Sequence, residues 1–367
     1  MRKYFTILIS LIFSACGNSQ TRPAINQQNT DQSKITEEQA ALIFEKTNAF
    51  PNNTQLAIAL IKNGQVHFYG VKRENDTIRT ITNHDRVFEI GSISKVFTGT
   101  LLAELVEEGK IDLSQNINEY LDFPFKDNQQ ITFLALANHT SGLPRLPSNL
   151  NLIFADPTNP YKGYDEEKLK VYLTEKMELA GHAGKKSDYS NLGFGLLGYV
   201  LSEIDKKTYQ ELATSRIFSK YDMSSTTTIR SEITDRLVKG LTAKGVEASN
   251  WDLAILAGAG GILSTVEDMS RFAMAQFDPA NEALALSRTK TFELGSNMDI
   301  GLGWVIINKE SGSTWHWHNG GTGGYTSSMA LDVEKQNGVI ILSNVSAFNK
   351  KMGNIDQLCF GLLSTLE

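Results

Sequence analysis

Phe88-Glu89-Ile90-Gly91-Ser92-Ile93-Ser94-Lys95-Val96-Phe97-Thr98-Gly99 is the stretch from which the rest of this chain can be read. Val96, Phe97, Leu101, Leu102, Leu105 and Val106 recur at three- and four-residue spacing, which defines one apolar helix face, and Gly109 follows as a stop. Ser92 falls in the first turn, beside N–H groups that no helical carbonyl satisfies and at the positive end of the helix dipole. Lys95 stands one turn further along the same face. Desolvated there, its amine can be neutral and can take the serine proton. Gly91 lets the backbone bend ahead of the serine and keeps its hydroxyl approachable.

A Ser-x-x-Lys spacing is not specific by itself. Ser287-Arg288-Thr289-Lys290 also matches, but no amphipathic helix follows it. A second element is Tyr189-Ser190-Asn191. In an extended segment residues two apart point to one side, so the phenol and the amide can face a common pocket. The simpler role for Asn191 is to cap the helix carried by Leu192, Leu196, Leu197, Val200, Leu201 and Ile204, and both roles are compatible. A third element is His318-Asn319-Gly320-Gly321, continued by Thr322-Gly323-Gly324-Tyr325. It ends one strand and leads to the next. Its glycines allow a substrate close to backbone N–H groups, although a glycine-rich hairpin turn reads the same way.

Strand patterns occupy the two ends of the chain and helix patterns the middle. Leu56 to Ile61 and Gln65 to Val71 flank Asn63-Gly64, a tight-turn dipeptide. Gly303 to Ile307, Thr314 to His318, Ser327 to Val333 and Val339 to Leu342 read as further strands, with a helix from about Gly353. This predicts an α+β fold: an antiparallel sheet from both chain ends flanked by helices, with an inserted all-helical lobe. The site then lies in the seam between the two. No repeat of fixed period is present.

In this order, these elements resemble the serine β-lactamase and penicillin-binding-protein superfamily, and within it the class C β-lactamases with their esterase and D-amino-acid peptidase relatives. His139-Thr140-Ser141-Gly142-Leu143-Pro144 and Ala257-Gly258-Ala259-Gly260-Gly261 add to the likeness, which runs from about Thr54 to the C-terminus. The resemblance implies an acyl-enzyme on Ser92, with Lys95 as its activator and Tyr189 relaying protons. It implies that Asn191 and His318 touch substrate, and that the N–H groups of Ser92 and Gly321, next to Gly320, receive the oxyanion. Whether Lys95 or Tyr189 is the acylation base stays open. The implied substrates are a β-lactam, a D-alanyl peptide or a small ester; the alternative is a slow or non-catalytic sensor that binds penicillins or wall peptides.

One departure stands out. The family typically has Lys-Thr-Gly at the third element, where this chain has His318-Asn319-Gly320. A histidine with an ordinary pKa near 6.5 is mostly neutral at pH 7. If its imidazolium anchors a substrate carboxylate, activity should change as pH crosses about 6 to 7. A zinc site at His316 and His318 finds no His-Glu-x-x-His pattern or acidic cluster to complete it, and no cofactor or metal is implied.

The remaining signals concern location. The chain has 367 residues, 41% hydrophobic and 21% charged, with a net charge of −6, which argues against a nucleic-acid-binding face. Arg2 and Lys3 precede an apolar stretch from Tyr4 to Phe13, and Ile12-Phe13-Ser14-Ala15-Cys16 resembles a bacterial lipobox. Residues 1–15 therefore read as a signal peptide and Cys16 as a lipidated first residue, which makes the protein an exported lipoprotein, periplasmic or at the cell surface. Residues 16–34 are polar and read as a tether, and 35–367 as the hydrolase domain. Thr36-Glu37-Glu38-Gln39 fits a capping box at the start of that domain. Cys359, in an apolar C-terminal stretch, reads as a buried structural thiol.

Overall fold

The computed structural model describes residues 35–150, 156, 158–295 and 297–367. The signal segment, Cys16 and the tether lie outside them. The capping box forms as the sequence indicates: Thr36 caps the Glu37–Thr47 helix, with Gln39 completing the reciprocal box.

The hairpin at Asn63-Gly64 forms between β1 (Gln55–Lys62) and β2 (Gln65–Glu74). Both turn residues take positive φ, 50° and 73°, as a tight primed turn requires. The other strands are β3 (Thr77–Ile81), β4 (Phe88–Glu89), β5 (Leu263–Ser264), β6 (Phe292–Gly295), β7 (Met298–Ile300), β8 (Val305–Asn308), β9 (Thr314–Gly321), β10 (Thr326–Asp332) and β11 (Asn337–Ser343). Nine of them make one sheet in the order β3-β2-β1-β11-β10-β9-β8-β7-β6, with antiparallel pairing throughout. Strands from the two ends of the chain thus meet at β1 and β11.

Side-chain alternation gives the sheet two apolar faces. Leu56, Ile58 and Leu60 of β1, with Val339 and Ile341 of β11, pack on Ile43 and on Ile355, Leu358 and Leu362 of the Asn354–Ser364 helix. Ala57, Ala59 and Ile61, with Ile340 and Leu342, face the helices of the inserted lobe. Cys359 is fully buried in the first of these cores, as its apolar setting foretold.

Three expectations need correction. The lobe is not purely helical, because β4 and β5 pair as a two-stranded ribbon that leads into Ser92. The strand assigned to Gly303 starts only at Val305, since Gly303 takes a φ of +80° that extended backbone does not allow. The Ser94–Glu107 helix has more than one apolar face: it is buried continuously from Ser94 to Leu105. Its polar members are satisfied locally, with Thr98 Oγ1 donating to Gly258 O at 2.7 Å and Ser94 Oγ accepting from Ile262 N at 3.1 Å. No helix among the described residues is long and apolar enough to cross a membrane.

Candidate active site

Ser92 occupies a single 3₁₀ turn, Gly91–Ile93, that runs directly into the Ser94–Glu107 helix. This turn presses against the end of β9. Gly91 takes a φ of +53°, and a Cβ on it would stand 2.6 Å from Gly321 N; one on Gly320 would stand 1.9 Å from Ile90 O. Two backbones touch here because neither position carries a side chain.

The pairing of β9 with β10 decides where the Gly321 N–H points. Thr322 N donates to Tyr325 O at 2.9 Å, which makes those residues a hydrogen-bonded pair. In an antiparallel ladder the next pair, Gly321 with Thr326, is then non-hydrogen-bonded. The Gly321 N–H is turned away from β10, on the side where Ser92 lies. The Ser92 N–H, inside the first turn, has no helical acceptor. Both N–H groups named from sequence thus border the serine, in the arrangement an oxyanion hole needs.

Lys95 is fully buried, and its Nζ has three neighbours: Asn191 Oδ1 at 2.8 Å, Ala259 O at 2.7 Å and Ser92 Oγ at 3.3 Å. The first two can only accept. A neutral amine has two N–H bonds and one lone pair, so with both hydrogens committed the lone pair remains for the Ser92 hydroxyl. Burial, together with the positive charge of Arg145, lowers the Lys95 pKa well below its ordinary range and favours that neutral form. Tyr189 completes the group. Its hydroxyl interacts with the Ser92 side chain, its ring lies 4.7 Å from Lys95 Nζ, and burial raises its pKa to about 12. The phenol therefore keeps its proton in the resting site and is suited to donate one.

Tyr189 and Asn191 do share a side, as alternation predicts. The helix cap, however, belongs to the residue between them: Ser190 Oγ accepts from Gly193 N at 2.8 Å and donates to Pro144 O at 2.7 Å. Ser190 turns the opposite way, which frees the Asn191 amide for Lys95. His139 supports the turn from behind. Its Nδ1 accepts from Ser190 N at 3.1 Å, and its ring lies 4.6 Å from that of Tyr189.

Alternation along β9 separates the third element. Trp315, Trp317 and Asn319 face the terminal helices, where Trp317 packs 5.4 Å from Phe360 and Asn319 Nδ2 donates to Asp356 Oδ2 at 2.8 Å. His318 faces the seam, 6.4 Å from the Tyr189 ring. Its Nδ1 lies 2.6 Å from Asn319 O, and because a carbonyl only accepts, Nδ1 carries the hydrogen. Burial first, and then Lys95, push its pKa down to about 3. This argues against the expected change at pH 6 to 7, since a neutral imidazole offers no charge to a carboxylate.

Ser92, Lys95, Tyr189, Asn191, His318, Gly320 and Gly321 are thus brought together. Three participants were missed. Ala259 O holds Lys95 from a segment noticed only for its glycines. Tyr161, whose phenol lies close enough to Asn191 for their side chains to interact, carried no sequence signal. Arg145, whose guanidinium lies 5.0 Å from the Tyr189 ring, stands directly after His139-Thr140-Ser141-Gly142-Leu143-Pro144 but carries no pattern of its own. The second Ser-x-x-Lys match plays no part: Ser287 is buried in a helix, its Oγ donating to Leu284 O.

Residues 48–358 match the Beta-lactamase family. The chain belongs to this family. Among its relatives, the D-alanyl-D-alanine-carboxypeptidase/endopeptidase AmpH of Escherichia coli (strain K12) is 29% identical over 384 residues, 95% of each chain. A β-lactamase of the same organism is 24% identical over 327 residues, 79% of this chain and 83% of its own. Among solved structures, an octameric penicillin-binding protein homologue from Pyrococcus abyssi aligns with a TM-score of 0.75 at 22% identity, covering 92% of this chain and 77% of that one. A β-lactamase/D-alanine carboxypeptidase from Yersinia pestis aligns with 0.73 at 23%, covering 90% and 99%. These structures share the α+β fold. This member of the β-lactamase family is a serine hydrolase by kinship.

Proposed function

We propose that the protein cleaves an amide or ester by acyl transfer to Ser92, with D-alanyl peptides as its substrates of choice and β-lactams as slow ones. The observation that carries this reading is the bonding around Lys95, where two acceptors take both hydrogens of a neutral amine and leave its lone pair for the serine. Lys95 removes the Ser92 proton as Oγ bonds to the substrate carbonyl carbon, and the resulting oxyanion accepts from the N–H groups of Ser92 and Gly321. When the C–N or C–O bond breaks, Tyr189 protonates the leaving group and is resupplied from Lys95. Water then attacks the ester, Ser92 recovers its proton, and the acid departs.

The D-alanyl preference draws support from the AmpH relative, matched over nearly its whole length. The test compares a D-alanyl-D-alanine peptide, a nitrophenyl ester and a chromogenic cephalosporin, with Ser92→Ala as the blank. Peptide or ester turnover lost in the blank supports the reading. Rapid cephalosporin turnover would make it a β-lactamase. Stoichiometric acylation of Ser92 without release would make it a sensor.

The location follows from residues outside the described part. We propose that Cys16 is lipidated after removal of residues 1–15 and holds the domain at a membrane of the envelope through the 16–34 tether. The supporting pattern is Ile12-Phe13-Ser14-Ala15-Cys16 behind a basic and apolar leader. Incorporation of labelled palmitate, abolished by Cys16→Ser, tests it.

A further inference from the structure

Without a lysine at position 318, the site needs another source of positive charge if it is to select an anionic substrate. Lys95 cannot serve, being fully buried and favoured in its neutral form. His318 and His139 are both buried, and burial keeps both imidazoles neutral at pH 7. One cation remains. Arg145 is solvent-exposed, and its guanidinium stacks over the Tyr189 ring at 5.0 Å, so it borders the phenol that touches Ser92. Its backbone is fixed by the same motif, with Arg145 O accepting from Asn191 N at 3.0 Å and from Leu192 N at 3.2 Å. No carboxylate among the described residues forms an ion pair with it. Its charge is nevertheless felt by Lys95, His139, Tyr161 and Tyr189.

The position also has a direction. Arg145 O accepts from Asn191 N, and the Arg145 charge reaches the Tyr161 phenol beside Asn191. We propose that Arg145 is a specificity-determining residue that binds a free carboxylate carried on the acyl-donor half of the substrate, a few carbon atoms from the scissile carbonyl. This rests on the reading of Ser92 as the acylated nucleophile and on Asn191 addressing the acyl half. A guanidinium already stacked on a ring is held in place for a two-pronged carboxylate contact and loses little freedom on binding.

The test uses two nitrophenyl esters of adipic acid that differ only at the far end, one a free acid and the other its methyl ester. The leaving group is the same and uncharged, so only the acyl half is compared. The expected result is a kcat/KM about tenfold higher for the free acid, held mainly in KM, falling to about equal in Arg145→Gln and partly kept in Arg145→Lys. Loss of the Arg145 charge also shifts Lys95, but that acts on both esters alike and cancels in the ratio. A ratio unchanged in Arg145→Gln, with turnover of both esters still abolished by Ser92→Ala, overturns the role of Arg145 and leaves the acyl-enzyme reading standing. Turnover of both esters that survives Ser92→Ala overturns both.

Discussion

The carbonyl oxygen of Ala259 lies 2.7 Å from the Nζ of Lys95 and, with Asn191 Oδ1 at 2.8 Å, fixes which way the amine's lone pair can point. The backbone acceptor cannot be removed by mutation, but the amide can. Asn191→Leu should leave Lys95 free to rotate away from Ser92 and lower the acylation rate about 10- to 100-fold, measured as the burst rate with an activated ester.

Lys95→Arg should cost more. A guanidinium remains protonated and cannot take the serine proton, so acylation should fall by at least about a thousandfold while the fold is kept. Intact-mass measurement after incubation with a penicillin would show the unmodified protein.

The acid limb of kcat/KM should report Lys95 and not His318. Activity needs the neutral amine, so it rises with pH through the depressed Lys95 value, whereas His318 has already lost its proton near pH 3. His318→Gln should leave the position of that limb unmoved, and a limb near pH 6.5 that disappears in His318→Gln would contradict the assignment.

Stability should fall on acidification. His316 and His318 are buried with pKa values near 4 and 3, and His139 is also lowered. Below about pH 6.5 these side chains bind protons in the unfolded chain before they do in the folded one, so each favours unfolding until its own folded value is reached. The melting temperature should drop steadily between pH 6.5 and 4, and less steeply in His318→Gln.

Ser190→Ala removes both a helix cap and the tie to Pro144. A loss of about 1 kcal/mol is expected, seen as a melting point lower by about 2 °C. The Michaelis constant should also rise, since Tyr189 and Asn191 flank the altered turn.

How much of this was legible in the sequence depended on whether the signal was local. The Asn63-Gly64 hairpin, the Thr36 box and the helix behind Ser92 were read correctly because propensity and spacing act over a few residues. The short strands β3, β6 and β7 were not, since pairing with neighbours defines them more than composition does. The same limit applies at the site. Ser92, Lys95 and Tyr189 carry recognisable spacing, but Arg145 and Ala259 owe their place to chain segments arriving from elsewhere. The further lowering of the His318 pKa by burial was out of reach too, because burial is a property of the packed whole.

The pairing of β1 with β11 sets a timetable for the molecule's birth. Leu56 meets Ser343, so the centre of the sheet cannot close until strands far apart in sequence have both been synthesised. Gly321, which borders Ser92, belongs to a strand that docks against that late-forming centre through β10. A nascent or truncated chain carries its serine and lysine without the opposite wall of the cleft. The nucleophile and the oxyanion donor that faces it are thus joined only by the closing of the sheet.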